Sequence, residues 1–331
     1  MIPSTRAFPA LPSSTVASTV VRCPAPFDFA HTLAFVEGFS PMASEQHVDG
    51  GRITKAISID GRAVVYRVES DGVREHPRLR VELVTGAALS EDTRTSVVHR
   101  VVWSFGGHDD LAAFYDAAAT DAAFEPLTRR YRGLRHVRFP SPFEAACWAA
   151  INQRIQLPVA RRMKEALLRH AGPSLVVDGV EHRAFPEASA VAALDDATVE
   201  RLVPGRRGKT VAALARSFAA VDESFLRDAP IDEVRAWLRA IPGVGPFTSG
   251  FVLYRGLGRF DGAALVSPRL LAAAEKLYGK GFDSEALDRR ARSYGAWGGY
   301  WMLYLWATTF IPGRAGEEAV GALRTRPSFM G

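Results

Sequence analysis

The segment most suggestive of chemistry is a short glycine turn between two helical runs, at Gly243, Val244 and Gly245. Glycine tolerates positive φ angles, and without Cβ atoms the backbone of such a turn can lie directly against a ligand. The helix that follows directs its free N–H groups to the same place, which suits a phosphate group. The pattern predicts a helix–hairpin–helix, a motif that holds a DNA backbone without reading bases. An ordinary turn between two packed helices is the alternative.

A polar cluster, Asn152, Gln153 and Arg154, ends an apolar helical run that begins near Phe143. The apolar positions of that run recur on one face, so the run is predicted to pack into a core. One interpretation of the cluster is a solvated helix end. The other is a loop that meets DNA, in which Gln153 or Arg154 fills a gap in the base stack.

A glycine-rich segment at 205–210 superficially resembles a phosphate-binding P-loop. Only two residues separate its glycines, whereas a P-loop needs four, and no strand is predicted before it. These two failures exclude a nucleotide site. The cations Arg206, Arg207 and Lys209 are predicted to form the surface of a helix start, with phosphate as a candidate contact.

The run from Tyr294 to Phe310 is unusually rich in aromatic residues. Aromatic residues at helical spacing more often pack in a core than bind a ligand, and this is the interpretation for Trp306. Trp297 lies among three glycines at the start of the run. For Trp297 two interpretations stay open: a core residue, or a ring presented to an open pocket.

The composition is that of an ordinary globular protein, with 331 residues, 47% hydrophobic and 23% charged. A net charge of +5 is compatible with a polyanionic partner. Cys23 and Cys147 are too few for a disulfide framework, a four-cysteine zinc site or an iron–sulfur cluster, so we expect reduced thiols in a cytoplasmic protein. No apolar run approaches the roughly 18 residues of a transmembrane helix, and no membrane contact is expected.

The first half of the chain is predicted to be a mixed α and β domain. Residues 1–21 are expected to form a flexible lead-in ending in a strand, and residues 22–138 an antiparallel sheet with helices on one face. Asp60-Gly61 is a strong hairpin signal between two alternating runs. The expected strands are 15–21, 52–59, 62–69, 79–83 and 96–103, and the expected helices are 27–39, 111–119 and 124–131.

Residues 139–331 are predicted to form an all-α body, because nearly every segment has a helical pattern and the turns carry Pro or Gly. The predicted fold class is therefore α+β. The expected helices are 142–155, 157–171, 188–194, 196–202, 207–220, 224–228, 231–240, 246–257, 268–278, 283–292 and 297–310.

Taken in order, these motifs resemble the helix–hairpin–helix DNA glycosylase superfamily, of the bacterial 3-methyladenine DNA glycosylase II type. The resemblance covers about residues 22 to 312. It rests on five segments: Pro26-Phe-Asp-Phe29, Phe143-Glu…Ile151-Asn-Gln153, Phe185-Pro186, the hairpin at 241–245 followed by Arg255-Gly256, and Trp297-Gly-Gly-Tyr300 with Trp306.

The resemblance implies an enzyme that flips a damaged nucleotide out of double-stranded DNA and hydrolyses its N-glycosidic bond. It implies a monomer without a cofactor, apart from an optional structural monovalent cation at the hairpin carbonyls of Gly243 and Gly245. The wedge that fills the vacated stack matches Arg154, beside Gln153, where the family usually has an aliphatic residue. The positions that match the aromatic base pocket are Phe35, Phe247, Phe251 and Trp297.

The largest departure from the family is at its catalytic Asp, which lies at the start of the helix after the hairpin. Counting 22 residues beyond Gly245 gives Ser267, followed by Pro268. Ser favours the N-cap and Pro the first helical position, so a helix is expected to begin here. The nearest carboxylate is Asp261, six residues earlier, which a local shift would have to bring in.

Two functions of different class follow from this departure. One is a monofunctional glycosylase confined to labile alkylated purines, of the 3-methyladenine and 7-methylguanine type. Monofunctional chemistry is expected because Pro246 and Phe247 stand where bifunctional relatives carry the Schiff-base Lys. The other is a catalytically silent binder of damaged or distorted DNA. A protein that keeps only the fold, for protein contacts, is a third and weaker alternative.

Overall fold

The computed structural model of the protein describes residues 15–38, 42, 45–260, 267–309 and 311. Its N-terminal part is a five-stranded antiparallel sheet with the order β1-β5-β4-β3-β2. The Asp60-Gly61 turn joins two of the strands with the paired positive φ angles, 51° and 71°, of a tight hairpin. The predicted α+β class is confirmed. The strands are β1 (Thr15–Arg22), β2 (Gln46–Asp49), β3 (Arg52–Ile59), β4 (Arg62–Ser70) and β5 (Arg78–Thr85).

One predicted strand is wrong, because residues 96–103 lie in helix α2 (Glu91–Ser104). The Ser90 side chain caps this helix by accepting a hydrogen bond from the backbone N–H of Thr93. Four buried valines suggested a strand, since β-branched residues favour sheets, but their spacing follows the helical period. These are Val97, Val98, Val101 and Val102.

A second hairpin, β6 (Ser174–Val177) and β7 (Val180–Arg183), interrupts the part of the chain predicted to be all helical. Its Val177 packs with Val65 of β4. The neighbours of Val65 along β4 join the core that contains α2, and successive strand residues point to opposite faces. Helices therefore cover one face of the sheet, and this hairpin covers part of the other.

The remaining elements are helices. A π-helical turn, Val252–Gly256, continues α12, and a 3-10 turn, Gly295–Trp297, precedes α15. Among the described helices, none has both the length and the hydrophobicity of a membrane span. The helices are α1 (Phe29–Gly38), α3 (Ala112–Ala119), α4 (Glu125–Arg130), α5 (Pro142–Ile151), α6 (Leu157–Ala171), α7 (Ala188–Ala192), α8 (Asp196–Leu202), α9 (Arg206–Ala220), α10 (Glu223–Asp228), α11 (Ile231–Ala240), α12 (Pro246–Phe251), α13 (Pro268–Tyr278), α14 (Ser284–Ser293) and α15 (Gly298–Ala307).

Helix α5 is the centre of the helical body, since all ten of its residues are buried. It packs against α6, α9, α12 and the π-helical turn. One hydrophobic cluster runs from the sheet through α5 to α15, so the core is continuous across the predicted domain boundary at residue 138. The sheet and the helical body therefore hold each other in place.

A buried cluster of four charges crosses the same boundary. Lys55 occupies an inward position of β3, and its Nζ lies 3.5 Å from Oε1 of Glu144 on α5. Lys164 of α6 donates to the same oxygen at 2.8 Å and also pairs with Glu45. The two cations match the two carboxylates, so the buried cluster is neutral. Burial would raise the pKa of Glu144, but Lys164 and Lys55 outweigh it and lower that pKa.

Replacing Lys164 with Met is expected to destabilise the fold, because it leaves two buried carboxylates against one buried cation. Breaking a buried charge pair costs about 3–5 kcal/mol of unfolding free energy. Urea unfolding of Lys164→Met measures the loss. The matched control is Lys276→Met, an exposed position on α13, where a change within about 0.5 kcal/mol is expected.

The double variant Glu45→Gln/Lys164→Met restores neutrality and should be more stable than Lys164→Met alone. A loss below about 1 kcal/mol in the single variant, or no recovery in the double, would show that the cluster is not balanced as described.

Candidate nucleic-acid interface

The hairpin between α11 and α12 is a tight turn that requires glycine at its first position. Gly243 has φ +87°, and a Cβ at this residue would overlap the side chain of Thr210 on α9. Val244 is buried, and its N–H donates to the carbonyl of Ile241 at 3.0 Å. The hairpin is thus fixed from inside by Val244 and from the side by α9.

Gly245 differs from Gly243, because its backbone is extended and the space around its missing Cβ is open. A side chain would fit there without disturbing the fold, so the glycine leaves the surface bare rather than relieving strain. Among the described residues none caps the start of α12 with a side chain, and the first turn of α12, which begins at Pro246, carries no charge. The turn therefore offers an uncovered backbone surface, as the sequence predicts.

The polar turn after α5 lies beside this hairpin. The side-chain Nε2 of Gln153 donates to Oγ1 of Thr248 on α12 at 2.9 Å, and Arg207 of α9 donates to the carbonyl of Gln153 at 2.5 Å. Arg154 is exposed and has φ +50°, the left-handed region that residues other than glycine seldom adopt. The structure thus places the turn at Gln153 and Arg154 beside the hairpin at Gly243 and Gly245.

The start of α9 completes this surface. Gly205 has φ +74° and lets the chain turn sharply into the helix, whose exposed cations are Arg206 and Lys209. No strand precedes it among the described residues nearby, which agrees with excluding a P-loop. The sequence did not predict the contacts that Arg207 makes with Gln153 and Thr210 makes with Gly243. Each contact joins residues more than 30 positions apart in the chain, so neither leaves a local signal in the sequence.

The four aromatic positions matched to a base pocket differ in exposure. The ring of Phe247 is 42% exposed, and its centroid lies 6.1 Å from that of the buried Phe251. Phe35 is fully buried, and the guanidinium of Arg255 lies 4.7 Å above its ring. The face of the Phe35 ring is therefore covered by this guanidinium. Trp297 is half-buried at the start of α15.

Three aromatic rings surround the side chain of His136, and the Trp297 ring lies 5.9 Å from one of them, Tyr300. The Tyr254, Phe260 and Tyr300 rings lie 4.3, 5.4 and 6.3 Å from the imidazole. Neither ring nitrogen of His136 has a hydrogen-bond partner among the described residues. Burial, with Arg255 and Arg138 nearby, holds the pKa of His136 well below its usual range.

Ser267 begins helix α13, as the sequence predicts. Its Oγ accepts a hydrogen bond from the backbone N–H of Leu270 at 3.2 Å, and Pro268 is the first helical residue. The side chain is half-buried. Asp261, the predicted substitute for the missing carboxylate, lies outside the described residues. The described residues contain no group of three or more metal-ligating His, Cys, Asp or Glu side chains.

Comparisons with known proteins agree with the motifs. No family model matches the chain. The chain is 26% identical over 216 residues to a DNA-3-methyladenine glycosylase of Bacillus subtilis (strain 168), covering 63% of this chain and 70% of that protein. It is 30% identical over 206 residues to a probable bifunctional transcriptional activator/DNA repair enzyme AlkA of Mycobacterium tuberculosis (strain ATCC 25618 / H37Rv), covering 61% of this chain and 40% of that protein.

The fold is shared with a solved 3-methyladenine DNA-glycosylase from Archaeoglobus fulgidus. The TM-score is 0.71 at 20% identity, over 88% of this chain and 99% of that one. The resemblance to helix–hairpin–helix glycosylases of the 3-methyladenine type is thereby confirmed in both sequence and fold.

The buried imidazole of His136 is expected to make the fold sensitive to acid. The unfolded chain binds a proton at His136 near its ordinary pKa of about 6.5, whereas the folded protein does so only at much lower pH. The free energy of unfolding is therefore not reduced by His136 above about pH 6.5. Below that pH it falls by up to about 1.4 kcal/mol per pH unit.

Urea unfolding of His136→Leu at a series of pH values should show a shallower fall than the unchanged protein, with exposed His170→Leu as the control. Equal slopes for His136→Leu and the unchanged protein would contradict a neutral buried imidazole.

Proposed function

We propose that this chain is a monofunctional DNA glycosylase that flips alkylated purines out of duplex DNA and hydrolyses their N-glycosidic bonds. The observation that carries the proposal is that the exposed turn at Arg154 lies against α12 and α9, the two helices that flank the bare hairpin at Gly245. The sequence relatives, named for 3-methyladenine release and DNA repair, support it.

The hairpin and the start of α9 are proposed to hold the phosphate backbone. The open backbone at Gly245 permits close approach, and the exposed cations Arg206 and Lys209 lie on the neighbouring helix. A monovalent cation is a further proposal at this turn. The carbonyl of Gly245 already accepts hydrogen bonds from the N–H and Oγ of Ser249, so a cation would rely more on Gly243.

Arg154 is proposed to act as the wedge, with Gln153 beside it. A guanidinium is flat and long, so it can stack between bases and donate hydrogen bonds in the gap left by a flipped nucleotide. The flipped base would meet Phe247 first, because this is the most exposed ring of the four candidates. Phe251 would support that ring from behind, and Trp297 would border the pocket. Phe35 would contact the flipped base only if the Arg255 guanidinium moved off the face of the Phe35 ring.

Ser267 is proposed to occupy the position of the family's catalytic Asp without replacing its charge. Loss of one electrostatic stabiliser typically slows a step by 10²–10³-fold, roughly 3–4 kcal/mol. A cationic base such as 3-methyladenine leaves as a neutral molecule and needs less help than a neutral base. The N-glycosidic bond breaks with its electron pair on the base, and a water that adds to the sugar carbon releases one proton to solvent, which completes the hydrolysis. Labile alkylated purines are therefore the substrates that the site supports best.

A catalytically silent binder of damaged DNA is the second candidate, favoured by the absence of a carboxylate at Ser267. Base release from methylated duplex DNA by the purified protein separates the two functions. Release of alkylated purines supports the enzyme, and binding without any release supports the silent binder.

Gly245→Glu is expected to weaken binding to duplex DNA at least about tenfold, because it places a like charge against the backbone phosphates. Since the space at this residue is open, the variant should stay folded. Fluorescence anisotropy measures affinity, and circular dichroism checks the fold. Gly245→Ala fits the same space without charge and should bind nearly as well as the unchanged protein. Unaltered affinity in Gly245→Glu would rule out the hairpin as the DNA contact.

Ser267→Ala should cost about 1 kcal/mol of stability through the lost helix cap, with only a modest change in the rate of base release. Ser267→Asp keeps the cap and is expected to raise the rate on neutral bases such as hypoxanthine. Urea unfolding measures the stability, and single-turnover release from defined duplexes measures the rates of both variants. Asp261→Asn tests the remaining carboxylate, for which a loss above about 100-fold would assign it the catalytic role. Efficient release of uracil by the unchanged protein, independent of Asp261, would contradict this account.

A further inference from the structure

The left-handed conformation of Arg154 needs a physical cause. A residue other than glycine in this region costs about 1–3 kcal/mol and persists only when its surroundings hold it. The Arg154 side chain is exposed, so packing of that side chain does not explain the conformation. The contacts of the adjoining backbone therefore matter, and the structure shows one on the carbonyl that precedes Arg154.

The peptide plane before Arg154 is held by Arg207. The carbonyl of Gln153 and the N–H of Arg154 lie in one rigid peptide plane. A hydrogen bond that holds this oxygen therefore restricts rotation about the N–Cα bond of Arg154, which is its φ angle. Arg207 donates a charge-assisted hydrogen bond to this oxygen at 2.5 Å. The Gln153 side chain is held independently, by its 2.9 Å bond to Thr248.

Arg207 also connects the turn to the hairpin. Thr210 lies three residues further along α9, on the same face of the helix, and packs directly against Gly243. One turn of α9 therefore touches both elements of the candidate interface, with Arg207 on the carbonyl before Arg154 and Thr210 on the hairpin. This contact fixes the spacing between the wedge and the phosphate-binding backbone.

We propose that Arg207 is a positioning residue, which presents Arg154 to DNA by holding the carbonyl of Gln153. The proposal rests on the proposed function for its consequence on DNA, but the positioning itself exists without DNA. It predicts that Arg207 acts through Arg154 and not as a phosphate contact.

The first test needs no DNA. Trypsin cleaves after exposed arginines, and cleavage of a turn tracks how often that turn opens. Arg207→Met is expected to raise the cleavage rate between Arg154 and Ile155 about tenfold, since it removes a hydrogen bond to a charged group. Arg206→Met, one residue earlier and exposed, should leave that rate unchanged. Equal rates in Arg207→Met and the unchanged protein would overturn the proposal.

The second test uses a duplex with 2-aminopurine opposite an abasic analogue, at saturating protein. Arg207→Met should lower the fluorescence change at least about twofold, and Arg154→Ala/Arg207→Met should be no worse than Arg154→Ala. The salt dependence of binding should keep its slope in Arg207→Met and fall by about one in Arg206→Met.

A slope lowered by about one in Arg207→Met would make Arg207 a phosphate contact and overturn the positioning role. No fluorescence change with the unchanged protein would count against the proposed function alone, because the trypsin result decides the positioning independently. Arg207→Lys, which keeps a positively charged donor at this position, should restore part of the trypsin resistance.

Discussion

The buried carboxylate of Glu144 constrains how the sheet and the helical body pack together. Glu144 lies on a helix with no solvent-exposed side, so its charge must be balanced by partners brought from elsewhere. Lys55 comes from the sheet and Lys164 from α6, and both pair with the same oxygen. An ion cluster of this kind tolerates little displacement, because each group that moves leaves another unbalanced. The sheet is therefore joined to the helical body at a defined position.

Helix α5 carries that constraint to the candidate interface. Its ten residues span about 15 Å, from the ion cluster near its start to the turn that follows Ile151. Glycines let other elements approach it closely: Gly256 of the π-helical turn lies against Ala145 and Pro142. An exposed turn on such a buried helix would be a rigid support for the proposed wedge, since loops positioned by a packed scaffold keep their geometry.

Local signals in the sequence were sufficient for some features and insufficient for others. The Asp60-Gly61 turn, the hairpin and the cap at Ser267 depend on neighbouring residues, so the sequence predicts them. Helix α2 was mistaken for a strand because its valines favour sheets, although Ser90 and the acidic first turn give a helix start. The β6–β7 hairpin carries the same Asp-Gly signal, at Asp178, but lies among helices.

The candidate site also depends on contacts that leave no local pattern. Arg207 reaches Gln153 across 54 residues, and Arg255 meets Phe35 from another part of the fold. As arginines, both residues would be expected at the surface. Only the tertiary structure shows that Arg207 supports a backbone turn and that Arg255 covers the Phe35 ring. Arg154 likewise gives no hint of its left-handed backbone, because arginine has no preference for that conformation.

If Ser267 occupies the position of the family's catalytic Asp, as proposed, the exchange of Asp for Ser at the start of α13 affects chemistry and not folding. Asp and Ser cap helices about equally well, because either side chain accepts the hydrogen bond from the first turn. Ser267 does so toward Leu270, and the helix begins at Pro268. The fold therefore exerts no pressure for a carboxylate at this position, and similarity of fold carries no information about hydrolysis. What the carboxylate would add is stabilisation of a sugar cation, which matters least when the bonded base is already positively charged and departs as a neutral molecule. In the proposed hydrolysis, the reactivity of the lesion, and not the geometry of the helix start, decides which bases are released.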